Sequence, residues 1–145
     1  MKIVVPSLRT LRAVALTAVV GATVATAQVK KGKTRVASTG QLMKGVVKLH
    51  CDVIKKGLDA GPADDKAWEN LAVSAAVLNE SSYTLMDDGR CPDGVWANAS
   101  TKTLREGSAA VLAAIEAKNV ADAKAAFGKM AGSCKECHEK HKEKH

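Results

Sequence analysis

Aromatic residues make up only 3% of this 145-residue chain: two Trp, one Tyr and one Phe. That scarcity, with no basic stripe interleaved among them, argues against nucleic-acid binding. Val and Ile are sparse beyond residue 38 and nothing alternates with period two, so strands are not expected. After the first two dozen residues no apolar run approaches the ~20 residues that cross a bilayer, so stable membrane insertion is not expected. No hydroxyl nucleophile stands beside a base, no paired carboxylates share a stripe and no glycine loop suits a phosphate. The chain therefore gives no sign of being an enzyme. It has no internal repeat.

What is present begins at the N-terminus. Lys2, Arg9 and Arg12 precede a charge-free apolar run from Ala13 to Val24, then Ala25-Thr26-Ala27. That order is the pattern of a secretory signal peptide, residues 1–27, cleaved after Ala27. A membrane anchor is the weaker alternative. The 118 residues that remain suffice for one domain with its own core. They carry 19 basic and 15 acidic residues, a balance of +4, much of it at the lysine-rich ends Lys30–Arg35 and Lys135–Lys144. Solvated termini explain this, and so does steering toward an acidic redox partner.

The most informative motif is Cys134-Lys135-Glu136-Cys137-His138. A Cys-x-x-Cys-His pentad is the attachment site of a c-type haem. The thiols of Cys134 and Cys137 add across the two vinyl groups, and His138 presents an imidazole nitrogen to the iron. On a helix, Cys134 and His138 share one face at i and i+4. Such attachment takes place outside the bacterial cytoplasm, so pentad and signal peptide predict each other and a periplasmic or otherwise exported location. Two rival chemistries use the same residues. A zinc site from Cys134, Cys137, His138 and His141 needs four tetrahedral ligands from eight helical residues, which geometry disfavours. A thioredoxin-like thiol pair sits at a helix N-terminus after a strand, in a different setting.

The mature sequence reads as helix nearly throughout. Residues 28–38 are polar and aperiodic, a flexible basic leader before the haem-binding domain, residues 39–145. Thr39 caps a first helix to about Leu58, with Leu42, Val46, Leu49 and Val53 at helical spacing and Met43, Val47, His50 and Ile54 in the adjoining row. Asp64 or Asp65 caps a second, carrying Trp68, Leu71, Ala72, Ala75 and Leu78 and ending between Asn79 and Met86. After the turn-forming run Asp87–Gly94, a third spans about Val95 to Ala117, with Trp96, Leu104, Val111 and Ile115 inward. Asn119 caps the fourth, whose stripe runs Ala123, Phe127, Met130, Cys134, Cys137, His141. Four helices with short links fold most simply as an all-α, antiparallel up-down-up-down bundle. Its Ala-rich core leaves room for a large flat cofactor.

A four-helix bundle with Cys-x-x-Cys-His near the end of its last helix resembles the cytochrome c′ family, the class II c-type cytochromes. The resemblance covers residues 39–142 and rests on Cys134, Cys137, His138 and the basic Lys142 four residues later. The family usually has Arg or Lys there, in the haem surroundings, preceded by an aromatic residue that is His141 here. It implies one covalent haem c and redox partner proteins. Its members differ at the sixth ligand: some leave that side open, others place a Met there.

In an antiparallel bundle the start of the first helix lies beside the end of the last. Met43, one turn in, is better placed to face the iron than His50, ~10 Å deeper at 1.5 Å per residue. Met43 as a ligand makes the protein a one-electron carrier and raises its potential; Met43 as packing makes it a five-coordinate haem protein that binds a small gas such as nitric oxide. His141 and His145 belong to a tail expected to be solvated. Cys51 and Cys91 remain. In an oxidising compartment leftover thiols usually pair, here closing a loop of about forty residues worth ~4 kcal/mol. A second helix that ends near Asn79 permits the pairing; two free thiols are the alternative. The sequence leaves a homodimer open.

Overall fold

A computed structural model describes residues 32–142. The signal peptide, its cleavage site, the first residues of the leader and His145 lie outside the described residues. Within them there are helices and no strand. We number four helices: α1, residues 39–60; α2, Asp65–Met86; α3, residues 94–116; and α4, residues 120–141, in two pieces, Val120–Gly132 and Lys135–His141. Successive helices pack on one another and α1 also packs on α4.

Each start has a chemical cause. Ser38, not Thr39, caps α1: its side chain accepts from Gln41 N at 3.1 Å, and Gln41 Oε1 accepts from Ser38 N at 2.8 Å. That reciprocal box satisfies two donors otherwise left over at a helix start. Asp64 accepts from Ala67 N (2.8 Å), Asp93 from Trp96 N (3.0 Å) and Asn119 from Asp122 N (3.1 Å). α1 ends at Gly61, whose φ of 78° favours glycine.

Helix α2 continues to Met86 through the polar run that sequence alone left undecided, because α3 answers those side chains. Asn79 Nδ2 donates to Arg105 O at 2.7 Å, and Arg105 Nε donates to Ser82 Oγ at 3.0 Å. The Arg105 guanidinium also lies 3.6 Å from the centre of the Tyr83 ring. Ser82 and Ser108 are buried within this network.

The core comprises Ile54 and Leu58 from α1, Leu71, Ala75, Leu78 and Leu85 from α2, Trp96, Leu104, Val111 and Ile115 from α3, and Ala123, Met130 and Cys137 from α4. One row of α1 is covered only at its start, where Leu42 packs against the core and Val46 is half-buried. Leu49 and Val53 are 52% and 38% exposed, while the adjoining row of α1 turns inward. Two stretches, Met43–Lys48 in α1 and Ala99–Glu106 in α3, are wound wide, with π-type hydrogen bonds.

Candidate haem-attachment site

Helix α4 breaks at the pentad. Ser133 and Cys134 form a turn in which Ser133 Oγ donates to Lys129 O at 2.9 Å, and Cys134 serves as N-cap of the last piece. Gly128 and Gly132 weaken the helix on the approach. The i to i+4 relation survives the break, because His138 N donates to Cys134 O at 3.2 Å. Cys137 is buried, Cys134 half-buried and His138 exposed.

A small cavity of about 40 Å³ lies between Cys134 and Cys137 and the facing helices; His138 does not line it. Cys134 and Cys137 form its α4 side, Met43 and Val47 its α1 side, Leu85 its α2 side and Trp96, Ala99, Ser100, Thr103 and Leu104 its α3 side. Its volume lies well below that of small-molecule sites, roughly 300–1,000 Å³. Both wide turns border it. A wide turn adds backbone to one level of a helix and recurs at functional sites. Met43 and the two pentad cysteines, more than ninety residues apart in sequence, thus line one apolar cavity from different helices.

The electrostatics favour neutral donors. Burial, followed by the Asp93 carboxylate, pushes the Cys137 thiol up to about 11; burial also raises Cys134. Thiolate chemistry needs the opposite shift, so a thioredoxin-like pair is a poor fit. His138, though exposed over much of its surface, is held below the ordinary imidazole range, first by partial loss of water around the ring and then by the Lys142 charge one turn on. Its neutral form, the one that ligates a metal, is favoured. Lys142 is itself exposed.

The remaining candidates fall elsewhere. His50 is half-buried, its Nδ1 enclosed without a hydrogen-bond partner, and it does not line the cavity. His141 is not solvated: its side chain is 9% exposed, its ring meets Trp96 edge-on at 5.5 Å, and its Nε2 lies 3.2 Å from Asp93 Oδ1. With His141 drawn to Asp93, no three His, Cys, Asp or Glu side chains converge among the described residues. The tetrahedral zinc set is not assembled.

The expected Cys51–Cys91 disulfide is not formed; all four cysteines are free. The physical reason is the length of α2. It runs to Met86, past the point near Asn79 that would have let the loop fold back. Cys91 Sγ instead donates to Asp93 O at 3.5 Å. Cys51 lies toward α4, its thiol pushed up to about 11 by burial first and then by Cys134.

Several residues that matter here escaped the sequence reading. Asp93 was legible as a loop residue before a helix, the signature of an N-cap, but its second role was not. Its carboxylate also accepts from Lys140 Nζ at 2.6 Å, which, with the Trp96 amide and His141, holds it well below the usual carboxylate range. Leu85 and Trp96 close one end of the cavity, Trp96 Nε1 donating to Leu85 O at 2.8 Å. No periodicity distinguishes such wall residues from ordinary core. Comparison with protein-family models, curated proteins and solved structures finds no match to this chain.

Proposed function

We propose that this chain is an exported monohaem c-type cytochrome, a one-electron carrier rather than an enzyme, built as an antiparallel up-down-up-down bundle like the cytochrome c′ family it resembles. The observation that carries the reading is the shared apolar cavity of Met43, Cys134 and Cys137. A bundle in which the start of α1 lies beside the end of α4 accounts for that meeting.

The donor set fits a c-type haem: two protonated thiols, a neutral imidazole beside them and a thioether on the facing helix. Cys134 and Cys137 would hold the group covalently, His138 and Met43 would ligate its iron, and Lys142 would stand in its surroundings. When bound, it supplies reversible one-electron chemistry. The chain's own part is to exclude water, which it does with Val47, Leu85, Trp96 and Leu104, and to keep both ligand helices in place. His138 and Met43, fixed on facing helices, would require little rearrangement when an electron moves. The lysine-rich ends suit an acidic redox partner.

The test is a visible spectrum of protein made in a cytochrome-maturing host, followed by acid-acetone extraction. The haem stays with the denatured chain, the ferric protein is low spin with a weak sulfur-to-iron band at the red edge, and the ferrous form resists carbon monoxide. Met43→Ala removes the band, lowers the potential and admits the gas. Freely extracted haem overturns the attachment. An unmodified protein that is high spin and binds carbon monoxide at once supports the five-coordinate, gas-binding alternative.

A further inference from the structure

The loop between α2 and α3 touches the segment that leads into α1 and the last piece of α4, at opposite ends of its sequence. At its first end, Asp88 grips the segment that leads into α1. Its carboxylate accepts from Thr34 N (3.0 Å), Thr34 Oγ1 (2.8 Å) and Arg35 N (2.9 Å), and its carbonyl accepts from Lys33 N (3.0 Å). Arg90, fully buried, reaches the same segment: Nη2 donates to Ala37 O at 3.0 Å, and Nη1 lies 3.8 Å from Asp88 Oδ2. The fit leaves no slack, since a Cβ at Gly32 would collide with the Asp88 carboxylate. At its second end, Asp93 holds Lys140 and His141, two and three residues beyond His138. The bond from Trp96 to Leu85 O anchors the base of the loop between these grips.

We propose that the loop from Asp87 to Asp93 is a two-ended positioning element that sets how firmly Met43 holds the iron, Asp88 and Arg90 acting on α1 and Asp93 on α4. This rests on the reading of Met43 and His138 as ligands. Helix α1 opens with a single α-turn, Thr39–Leu42, before the wide stretch that contains Met43. One helical turn is marginal by itself. That turn is the free end of α1, held on one side by the rest of the helix, and the clasped residues 33–37 lie just before its cap on the other. A fully buried guanidinium is costly to keep, and Arg90 keeps it with Nε unpartnered. A site of this kind loses function with misplacements on the order of 1 Å. The element differs from general packing because it couples the spacing of two particular side chains through one short loop.

The experiment compares the haem-loaded full-length protein with Asp88→Ala, Asp93→Ala, Met43→Ala and, as a control carboxylate on α1, Asp59→Ala. At unchanged helix content, Asp88→Ala and Asp93→Ala each weaken the red-edge sulfur-to-iron band. Each also raises the apparent ferrous affinity for carbon monoxide about tenfold, in proportion to the fraction of molecules with Met43 released. Asp59→Ala leaves both unchanged. Thr34→Val, which removes one donor to Asp88, gives the same shifts at smaller size and replaces Asp88→Ala if that variant does not fold. If Met43→Ala abolishes the band while Asp88→Ala and Thr34→Val leave band and gas affinity at parent values, the inference fails and the function stands. If Met43→Ala itself changes nothing, the ligand reading fails and takes the inference with it.

Discussion

Two rows of apolar residues run along α1 with the same helical spacing, and they meet different fates. Met43, Val47 and Ile54 pack into the core or its cavity, with Ile54 wholly buried, whereas Leu49 and Val53 in the other row stay substantially exposed. Nothing in the spacing separates them. What separates them is where α2 and α4 lie: Gly57 comes close to Leu71 of α2, and Cys51 lies toward Cys134 of α4, so the row between those contacts is the inner one. Periodicity identifies an apolar row; only neighbouring helices decide whether it is inside.

The comparison is sharpest where burial is complete. Ile54→Ala should destabilise the fold by about 2–5 kcal/mol, through lost transfer energy and the cavity left behind. For a domain of this size that is a fall in Tm of about 10 °C or more, read by circular dichroism. A loss under half a degree would mean that Ile54 is not at the centre of the packing. Gly57→Ala probes the contact that orients the helix. A Cβ there would lie 2.6 Å from Leu71 Cδ2. Overpacking of about 1–3 kcal/mol exceeds the gain in helix propensity of about 1 kcal/mol. The variant should therefore melt several degrees lower, and a higher melting temperature would show that Leu71 moves aside freely.

On the outer row the expected effects are small. Leu49→Gln should change stability by no more than about 0.5 kcal/mol. A cost comparable to Ile54→Ala would break the comparison and reveal that something covers this face in solution, which concentration-dependent melting would show to be a second copy. The smallest effect concerns the ion pair of Lys48 and Asp52, one helical turn apart on the same side. The hydrogen bond from Lys48 holds the Asp52 carboxyl below its ordinary 3.8. Its folded value is depressed, so its contribution is present above about pH 4 and is lost as pH falls through the folded value. The gap in Tm between the parent and Asp52→Asn should close between pH 5 and pH 2. A gap that widens on acidification would reverse the assignment.

Much of the fold was legible from local chemistry. Asp64 and Asn119 announce two helix starts, and the inward residues of α3 (Trp96, Leu104, Val111 and Ile115) are all buried as their spacing requires. The break in α4 at Ser133–Cys134 was not legible, since Cys134 continues the apolar stripe without interruption. Nor was the burial of Arg90. A charged residue in a glycine-rich turn ordinarily faces solvent, and only the arrival of residues 32–37, more than fifty positions earlier, encloses it. The free state of Cys51 and Cys91 followed from the end point of α2, which depended on the bond from Asn79 to Arg105 O and the bond from Arg105 Nε to Ser82 across the seam of α2 and α3.

The sequence by itself determined the all-helical character, the helix starts at Asp64 and Asn119 and the chemical inventory of the pentad. Those depend on side chains a few residues apart, whose bonds to the adjacent backbone are made or missed locally. Tertiary structure decided which row of α1 is buried, that Met43 shares a cavity with Cys134 and Cys137, and that His141 turns to Asp93. These are meetings between distant segments. Each is chosen by the packing of whole helices, because burying one apolar surface against another has no direction of its own until the partner is in place.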